Sequence, residues 1–279
     1  LLQNPSHISL FLAKVLMDFK IHSILLHLLS LESLHHIRIL YACESGSRAW
    51  GFPSADSDYD VRFLYLHPTS WYLSVEQKRD VIEIPEHDRL DISGWDLRKA
   101  LELFRRSNPP LLEWLGSPTV YIEKYGVAAT LRALAKEYYS PNACIYHYLH
   151  MAQGNYRQYL KGEQVWLKKY FYVLRPILAI QWIEQGYGVA PTSFGVLLER
   201  LVPTGVLKTE IEKLIVLKRE GAELDYAPRI PVISDFIDAE LARLETNRAK
   251  YHSTPAPYET LDRIFQEALR DVLGSWSPG

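Results

Sequence analysis

Residues 37–66 constrain the fold of this chain more than any other stretch. Their sequence is IRILYACESGSRAWGFPSADSDYDVRFLYL: an apolar run, a turn rich in glycine and serine, a segment able to form one helical turn, and a second apolar run. β-Branched and aromatic residues dominate both apolar runs, which is typical of strands bounded by turn formers. The stretch therefore predicts two neighbouring strands joined by a polar connection.

Two acidic residues begin the second of these strands. Side chains at positions i and i+2 of a strand share a face, so Asp58 and Asp60 point the same way, whereas Val61 and Phe63 point into a core. Two carboxylates side by side repel each other, which raises a pKa or demands a counter-cation. The arrangement favours Mg²⁺, because this ion is commonly held by one or two carboxylates together with substrate phosphates.

The turn before the carboxylates carries candidate phosphate-binding groups. Gly46 allows the backbone to pass close to a ligand, and Ser47 opens a helical turn whose free N–H groups can hold an anion. Arg48 is a candidate cation for the same phosphates, and a surface salt bridge is its alternative role. Arg62 lies on the carboxylate face of the strand, where we expect it to offset the charge of the aspartates.

Gly46-Ser47, a spacer and Asp58-Tyr59-Asp60 between apolar residues resemble the signature of the DNA polymerase β-type nucleotidyltransferase superfamily. The longer wording, ESGSRAWGF through ADSDYDVRF, is similar to one branch of it, the bacterial predicted nucleotidyltransferases grouped with RNA-repair functions. The resemblance implies a palm-like catalytic sheet, a third carboxylate on a neighbouring strand, and an appended helical domain that closes the cleft.

The residues that follow predict two more strands of the same sheet. Residues 80–84 and 90–95 are strand-like and are connected by residues 85–88, so a hairpin is the economical arrangement. The segment LDISGWDLRKAL resembles the part of the family that carries the third acid, which makes Asp91 the candidate. Asp80, Glu83 and Asp88 are the alternatives.

The whole pattern predicts an α+β protein with a small mixed β-sheet followed by an all-helical C-terminal domain. We expect residues 1–120 to form the nucleotidyltransferase domain with an N-terminal helical extension over 6–33, and residues 121–279 to form the helical domain. Asp96 is placed to cap a helix, and a short helix is predicted at 71–76. Further helices are predicted at 123–138, 141–160, 164–186, 193–201, 207–220, 231–250 and 257–273, with proline or glycine at most breaks.

The composition limits the partners and the cellular location expected for the protein but says little about its activity. A formal net charge of −2 over 279 residues gives no global basic field, so any nucleic-acid groove has to be local. Cys43 and Cys144 have no metal-ligand spacing, and the natural setting for them is a reducing cytoplasm. Cys43, in the strand before the turn, is expected to be a small buried core residue. No uninterrupted apolar run approaches the ~20 residues of a membrane span, and no secretory signal is evident, so no membrane partner is expected.

Rings and cations alternate on two of the predicted helices. Lys168 and Lys169 precede the apolar run VLRPILAIQWI, and the resemblance makes them candidate ligands of a nucleotide triphosphate. Interleaved rings and cations also suit stacked bases and a charged backbone, so RNA is a candidate partner. The ordinary interpretation is that the rings belong to the core and the lysines to a solvated face.

The resemblance implies a nucleotidyltransferase that depends on Mg²⁺ (or Mn²⁺) and uses a nucleoside triphosphate. In such a reaction an acceptor hydroxyl attacks the α-phosphorus and pyrophosphate leaves, with two ions held by Asp58, Asp60 and Asp91. The resemblance favours an RNA end as the acceptor. Transfer of AMP to a protein or small molecule is the alternative, and a catalytically silent nucleotide-binding or toxin-neutralising protein is another. The sequence leaves the base, the acceptor and the oligomeric state open.

Overall fold

The structure is a computed structural model that describes residues 5–221, 224–247, 251 and 255–273. Within this part of the chain it has the predicted α+β architecture, with one five-stranded sheet and many helices. The first element is α1 (Pro5–Leu34), which agrees with the helix predicted over 6–33.

The sheet is mixed, as predicted, and its strands follow the order β3-β4-β2-β1-β5. Strand β2 pairs in parallel with β4, whereas the β1–β2, β1–β5 and β3–β4 pairs are antiparallel. The strands are β1 (Arg38–Glu44), β2 (Tyr59–Leu66), β3 (Val81–His87), β4 (Leu90–Asp96) and β5 (Val120–Glu123).

The β3–β4 hairpin is tighter than the sequence indicated. Strand β3 continues to His87, three residues beyond the predicted end, and only Asp88 and Arg89 connect the strands. Both have positive φ angles, 51° and 60°, which is the backbone that a two-residue hairpin turn needs. Because Asp88 is part of this exposed turn, it stands apart from the other acids of the sheet.

The connections of the sheet contain short helices. Helix α2 (Gly46–Trp50) joins β1 to β2, and α3 (Thr69–Tyr72) lies slightly earlier than the helix expected at 71–76. Helix α4 (Leu97–Arg105) begins after Asp96, whose Oδ1 accepts a 2.9 Å hydrogen bond from the backbone N–H of Arg98. The prediction of Asp96 as the capping residue is therefore confirmed. Helix α5 (Pro109–Leu115) follows.

The remainder of the described chain is mainly helical, with two departures from the predicted pattern. Strand β5 lies where a domain boundary was expected, and residues 164–166 form a strand rather than the start of a helix. That strand, β6 (Gln164–Trp166), pairs antiparallel with β7 (Tyr226–Pro228). The helices are α6 (Val127–Tyr138), α7 (Pro141–Tyr159), α8 (Lys168–Glu184), α9 (Phe194–Leu201), α10 (Val206–Arg219), α11 (Pro231–Asn247) and α12 (Glu259–Leu273). The predicted helix end at 248–250 lies outside the described residues.

Each face of the sheet packs on helices. Val61, Phe63 and Tyr65 of β2 belong to a buried cluster with Ile24 and Leu28 of α1. The opposite face, through residues such as Leu40 and Leu64, joins an apolar cluster that continues into α7, α8 and α11. The core thus runs without a break from the sheet into the helices, and the division at residues 120 and 121 stays a prediction.

The structure describes both cysteines and the helices that were considered as membrane spans. Cys43 and Cys144 are both buried free thiols, and burial raises the pKa of each to about 12. Neither is therefore a reactive thiolate near neutral pH. Within the described residues, no helix has both the length and the apolar composition that a membrane crossing requires.

Candidate active site

The register of the parallel β2–β4 pair brings two of the predicted acids together. Asp60 is the second residue of β2, Asp91 is the second residue of β4, and the two are aligned as direct partners. Their side chains are 26% and 39% exposed, so both carboxylates reach solvent at the N-terminal ends of these two strands. Asp58 lies just before β2 and is close enough for its charge to act on Asp60.

Arg62 is bound to both paired carboxylates. Its Nη2 lies 2.7 Å from Asp91 Oδ2 and 3.3 Å from Asp60 Oδ1. Its Nη1 donates to the carbonyl oxygens of Val61, at 3.1 Å, and Asp91, at 3.0 Å. The expected role of Arg62 as a counter-charge for the aspartates is therefore observed directly.

The surroundings of Asp60 disfavour its ionised form. Burial raises the pKa of the Asp60 carboxyl, and the neighbouring carboxylates of Asp91 and Asp58 raise it further. The cations of Arg62 and Lys168 act in the opposite direction without cancelling the shift. An additional cation at this point would lower the electrostatic free energy of the ionised acids.

Gly46 is required by the position of Asp60. Its φ angle is +57°, and a Cβ atom built on it would lie 1.9 Å from Asp60 Oδ2. The next contact along the chain is also tight, because the N–H of Ser45 donates to the carbonyl oxygen of Asp60 at 2.8 Å. The sequence predicted a glycine that makes room for a phosphate, whereas the group packed on it here is a carboxylate. Ser47, the second residue of α2, is half-buried.

Arg48 fixes the loop that leads into Asp58. Its Nε donates to the carbonyl oxygen of Asp58 at 3.0 Å, and its Nη2 donates to that of Ser57 at 2.8 Å. The guanidinium also lies over the ring of Tyr59, 3.7 Å from the centroid. Arg48 thus has internal partners in place of the surface salt bridge considered as its alternative, and binding of phosphate by this residue stays a prediction.

Glu44 is a fourth carboxylate that the sequence-based search missed. It is 2% exposed, its Oε1 accepts a 2.8 Å hydrogen bond from the N–H of Asp60, and its Oε2 accepts one from the hydroxyl of Tyr121. Burial raises the pKa of Glu44. An acid at the end of an otherwise apolar strand was the available signal, but its partner lies on β5, which the sequence did not predict.

The two lysines predicted to bind phosphate lie in different surroundings. Lys168 is half-buried at the start of α8 and is close enough to act on the charge of Asp60. The ammonium of Lys169 instead lies 4.3, 4.5 and 5.0 Å from the ring centroids of Tyr172, Tyr159 and Trp166. Lys169 is therefore held by three aromatic rings, which argues against a role in binding phosphate.

Lys218, near the end of α10, is a second cation that sequence reasoning missed. Its Nζ lies 3.4 Å from Ser54 Oγ in the loop before the carboxylates. Burial lowers the pKa of Lys218 and the Lys168 ammonium lowers it further, whereas Asp58 and Asp56 raise it. Two ammonium groups from separate helices thus lie near the same acidic loop. The adjacent Arg219 donates to the carbonyl oxygen of Gly51 at 2.7 Å, which ties α10 to this loop.

A buried ion pair supports the aromatic residue at the end of α2. Arg175 is 1% exposed, and its Nη1 lies 2.5 Å from Glu113 Oε1. The hydroxyl of Tyr148 donates to the same oxygen at 2.9 Å. The guanidinium lies 5.3 Å from the ring centroid of Trp50. Residues of α5, α7 and α8 therefore hold the turn that carries Gly46 and Ser47.

The donor chemistry of the site fits Mg²⁺ or Mn²⁺, although the described side chains form no finished metal site. No group of three or more His, Cys, Asp or Glu side chains converges as such a site among the described residues. Asp58 and Asp60 nevertheless offer hard oxygen ligands, which is what a partly hydrated Mg²⁺ shared with phosphates requires. The position between Asp60 and Asp91 already accepts a cation, the guanidinium of Arg62.

Residues 21–267 match the RlaP family, described as the RNA repair pathway DNA polymerase beta family. The chain belongs to that family. The resemblance drawn from the glycine-serine turn and the paired aspartates is thereby confirmed, and family membership supports transferase activity in general terms. This RlaP-family chain is also 56% identical over 214 residues to a protein of Bacillus subtilis (strain 168) described as uncharacterized protein YcgL, covering 77% of this chain and 82% of that protein.

Among solved structures, a nucleotidyltransferase-like protein from Exiguobacterium sibiricum 255-15 aligns over 88% of each chain with 14% identity and a TM-score of 0.32. At that score the likeness carries no structural argument. The assignment to the RlaP family rests on the sequence match.

Proposed function

We propose that this protein transfers a nucleoside monophosphate from a nucleoside triphosphate to an acceptor hydroxyl, and that the acceptor is RNA. The observation that carries the proposal is the alignment of Asp60 with Asp91 on parallel strands, with Asp58 beside them and Gly46 closed against Asp60. Carboxylates grouped at the solvent-exposed ends of two strands can bind cations. Nucleotidyl transfer requires the protein mainly to position the reactants and to neutralise charge.

Asp58 and Asp60 are the proposed ligands of a divalent ion, Mg²⁺ or Mn²⁺. When bound, such an ion neutralises charge on the phosphates and lowers the pKa of the acceptor hydroxyl. Glu44 holds the backbone of Asp60 through its N–H, and Gly46 leaves room for the Asp60 carboxylate. The finer expectation of two ions with Asp91 as a ligand requires Asp91 to release Arg62.

Lys168 and Lys218 are the proposed partners of the outer phosphates. Both ammonium groups lie near the acidic loop, and the Lys168 ammonium lowers the pKa of Lys218. An anion with several oxygens, such as the pyrophosphate that leaves in this reaction, would bind both through charge-assisted hydrogen bonds. Ser47 is the proposed hydroxyl donor on the opposite side, and Arg48 supports the loop between them.

A stacked pair of rings, of which Tyr226 is exposed, favours a base-containing acceptor. Trp166 and Tyr226, on the paired strands β6 and β7, stack with their centroids 5.9 Å apart, and Tyr226 is 61% exposed. Lys168 follows this pair closely, since its N–H donates to the carbonyl oxygen of Leu224. Exposed rings beside cations are typical of surfaces that stack unpaired bases. Transfer of AMP to a protein or small molecule is the second candidate, since the carboxylates alone do not select an acceptor.

The proposal is tested by label transfer from nucleotides that carry radioactivity in the α-phosphate. Purified protein, Mg²⁺ and each of the four nucleotides are incubated with RNA bearing a free 3′ hydroxyl, and in parallel with a cell lysate. Label that ribonuclease removes and protease does not supports RNA as the acceptor. Label on protein or on small molecules favours the second candidate, and no transfer in any fraction favours a catalytically silent protein.

RNA binding is tested separately by its dependence on salt. Affinity for single-stranded RNA should fall as salt rises, because each phosphate contact releases counterions. The slope of this dependence is set by the number of phosphates contacted. Lys168→Gln combined with Lys218→Gln should weaken binding and flatten this dependence. Lys213→Gln on the same helix α10 is the control, because Lys213 is exposed and pairs with Glu210. Equal affinity in all three proteins would exclude this surface as the RNA site.

A further inference from the structure

The space between Asp60 and Asp91 is shaped around a cation that the chain itself supplies. One guanidinium nitrogen of Arg62 contacts both carboxylates, and the other donates to two backbone carbonyls. These four hydrogen bonds fix the plane of the guanidinium, which a flexible ammonium group would not achieve. The Arg62 side chain is only 18% exposed, so it lies within the site rather than over it.

The ion pairs of Arg62 distinguish the three aspartates by how available each is to a divalent ion. Asp91 has its shorter ion pair with Arg62, 2.7 Å, whereas Asp60 has the longer one, 3.3 Å. Asp58 is not among the ion-pair partners that the structure gives Arg62, and its charge raises the pKa of Asp60. The carboxylate that is least available to a divalent ion is therefore Asp91, and those most available are Asp58 and Asp60.

We propose that Arg62 is the resident cation of the Asp60–Asp91 pair, and that a divalent ion uses Asp91 only by displacing this guanidinium. The inference rests on the proposed function in one respect, namely that the carboxylates bind a divalent ion. It follows that the protein without nucleotide holds a single divalent ion, at Asp58 and Asp60. Asp91 then acts as a positioning residue for Arg62 and is not a ligand of that ion.

The prediction is measured with Mn²⁺, whose binding is followed by electron paramagnetic resonance in the absence of nucleotide. Wild-type protein should bind one ion, and Asp91→Asn should also bind one ion. Arg62→Gln should admit a second ion, visible as a doubled stoichiometry and as magnetic coupling between two ions a few ångströms apart (about 3.5–4 Å in two-metal sites). Adding Asp91→Asn to Arg62→Gln should remove the second ion again.

Two further variants keep the test independent of folding. Arg62→Lys retains the charge but cannot make all four hydrogen bonds, so it should admit the second ion at higher Mn²⁺ concentrations than Arg62→Gln does. Arg79→Gln is the control, because Arg79 is an exposed arginine that pairs with Glu83 on a neighbouring part of the sheet. It should bind one ion, as the wild type does.

The outcomes separate this inference from the proposed function. Two ions in the wild-type protein without nucleotide, or identical binding in Arg62→Gln and wild type, would overturn the role of Arg62. If Asp60→Asn abolishes Mn²⁺ binding in that case, the proposed function still stands. Failure of the wild type to bind Mn²⁺ both with and without ATP would instead contradict the proposed function itself.

Discussion

Arg62 and Arg175 both bind carboxylates, but their surroundings differ in exposure and in charge balance. Arg175 is 1% exposed and faces one carboxylate, that of Glu113, which is also bound by the Tyr148 hydroxyl. Arg62 faces two carboxylates whose side chains are 26% and 39% exposed, with a third acid beside them. The same pair of chemical groups is thus sealed and balanced in one place and open and unbalanced in the other.

The difference separates a structural ion pair from a binding site. A buried, balanced pair has no charge left for a ligand and is expensive to break, because either partner alone is an uncompensated buried charge. Two open carboxylates that share one arginine repel each other, and a further cation that binds them lowers this repulsion. Under the proposed function, the region around Asp60 is the binding region and the Arg175 cluster is its support.

The largest expected effect lies at the balanced pair. Arg175→Met should lower the free energy of unfolding by about 3–5 kcal/mol, because Glu113 would be left buried without its partner. Arg62→Met should cost far less, since solvent reaches the carboxylates that it leaves. Urea denaturation of both variants measures the two values. The double variant Arg175→Met with Glu113→Met should recover much of the loss, and equal losses for Arg62→Met and Arg175→Met would abolish the distinction.

The second prediction concerns the glycine packed against Asp60. Gly46→Ala should cost about 1–3 kcal/mol, because its φ angle is left-handed and its Cβ would meet the Asp60 carboxylate. It should also weaken Mn²⁺ binding, since Asp60 has to move.

Gly154→Ala is the matched control, because a Cβ there has nothing within 4 Å and Gly154 lies inside helix α7. This variant should be more stable than the wild type by about 0.5–1 kcal/mol. Unchanged metal affinity in a folded Gly46→Ala protein would show that Asp60 is not held by this turn.

The third prediction compares Lys169, whose ammonium contacts three aromatic rings, with Lys168, whose ammonium is proposed to bind phosphate. Lys169→Met should lower stability by about 1 kcal/mol through the loss of its contacts with aromatic rings, and it should leave ATP affinity unchanged. Lys168→Met should do the reverse, leaving stability unchanged and weakening ATP binding. Thermal unfolding and calorimetric titration of ATP with Mg²⁺ measure both quantities. Loss of ATP affinity in the Lys169 variant alone would reverse the assignment.

The smallest expected effect is a dependence of stability on pH at Asp60. Burial raises the pKa of this carboxyl above its ordinary value of 3.8, so the folded state holds the proton more tightly than the unfolded state. Its ionisation therefore reduces stability as pH rises from that ordinary value through the raised one, and the loss stays constant above it. Asp60→Asn lacks this loss. The stability difference between the two proteins should grow over that range, and a constant difference would contradict the raised pKa.

The elements predicted correctly from the sequence were those with local patterns. Strand alternation placed Val61 and Phe63 in the core, the hairpin pattern placed β3 and β4, and helix capping placed Asp96. The residues that were missed depend on distant pairings. Glu44 bonds to Tyr121, 77 positions away, and Lys218 reaches Ser54 across 164 positions. No local periodicity encodes such contacts, and strands of three or four residues such as β5 and β6 are too short to show one.

The central claim is that the carboxylates at the ends of β2 and β4 support nucleotidyl transfer. The most direct test compares the fate of ATP labelled in the α-phosphate with that of ATP labelled in the γ-phosphate. Wild-type protein and Asp60→Asn are incubated with Mg²⁺, RNA and ATP labelled in either the α- or the γ-phosphate. The account predicts that wild type transfers the α-label to the acceptor and releases the γ-label as pyrophosphate, and that Asp60→Asn does neither while remaining folded. Transfer of the γ-label, or equal transfer of the α-label by both proteins, would contradict it.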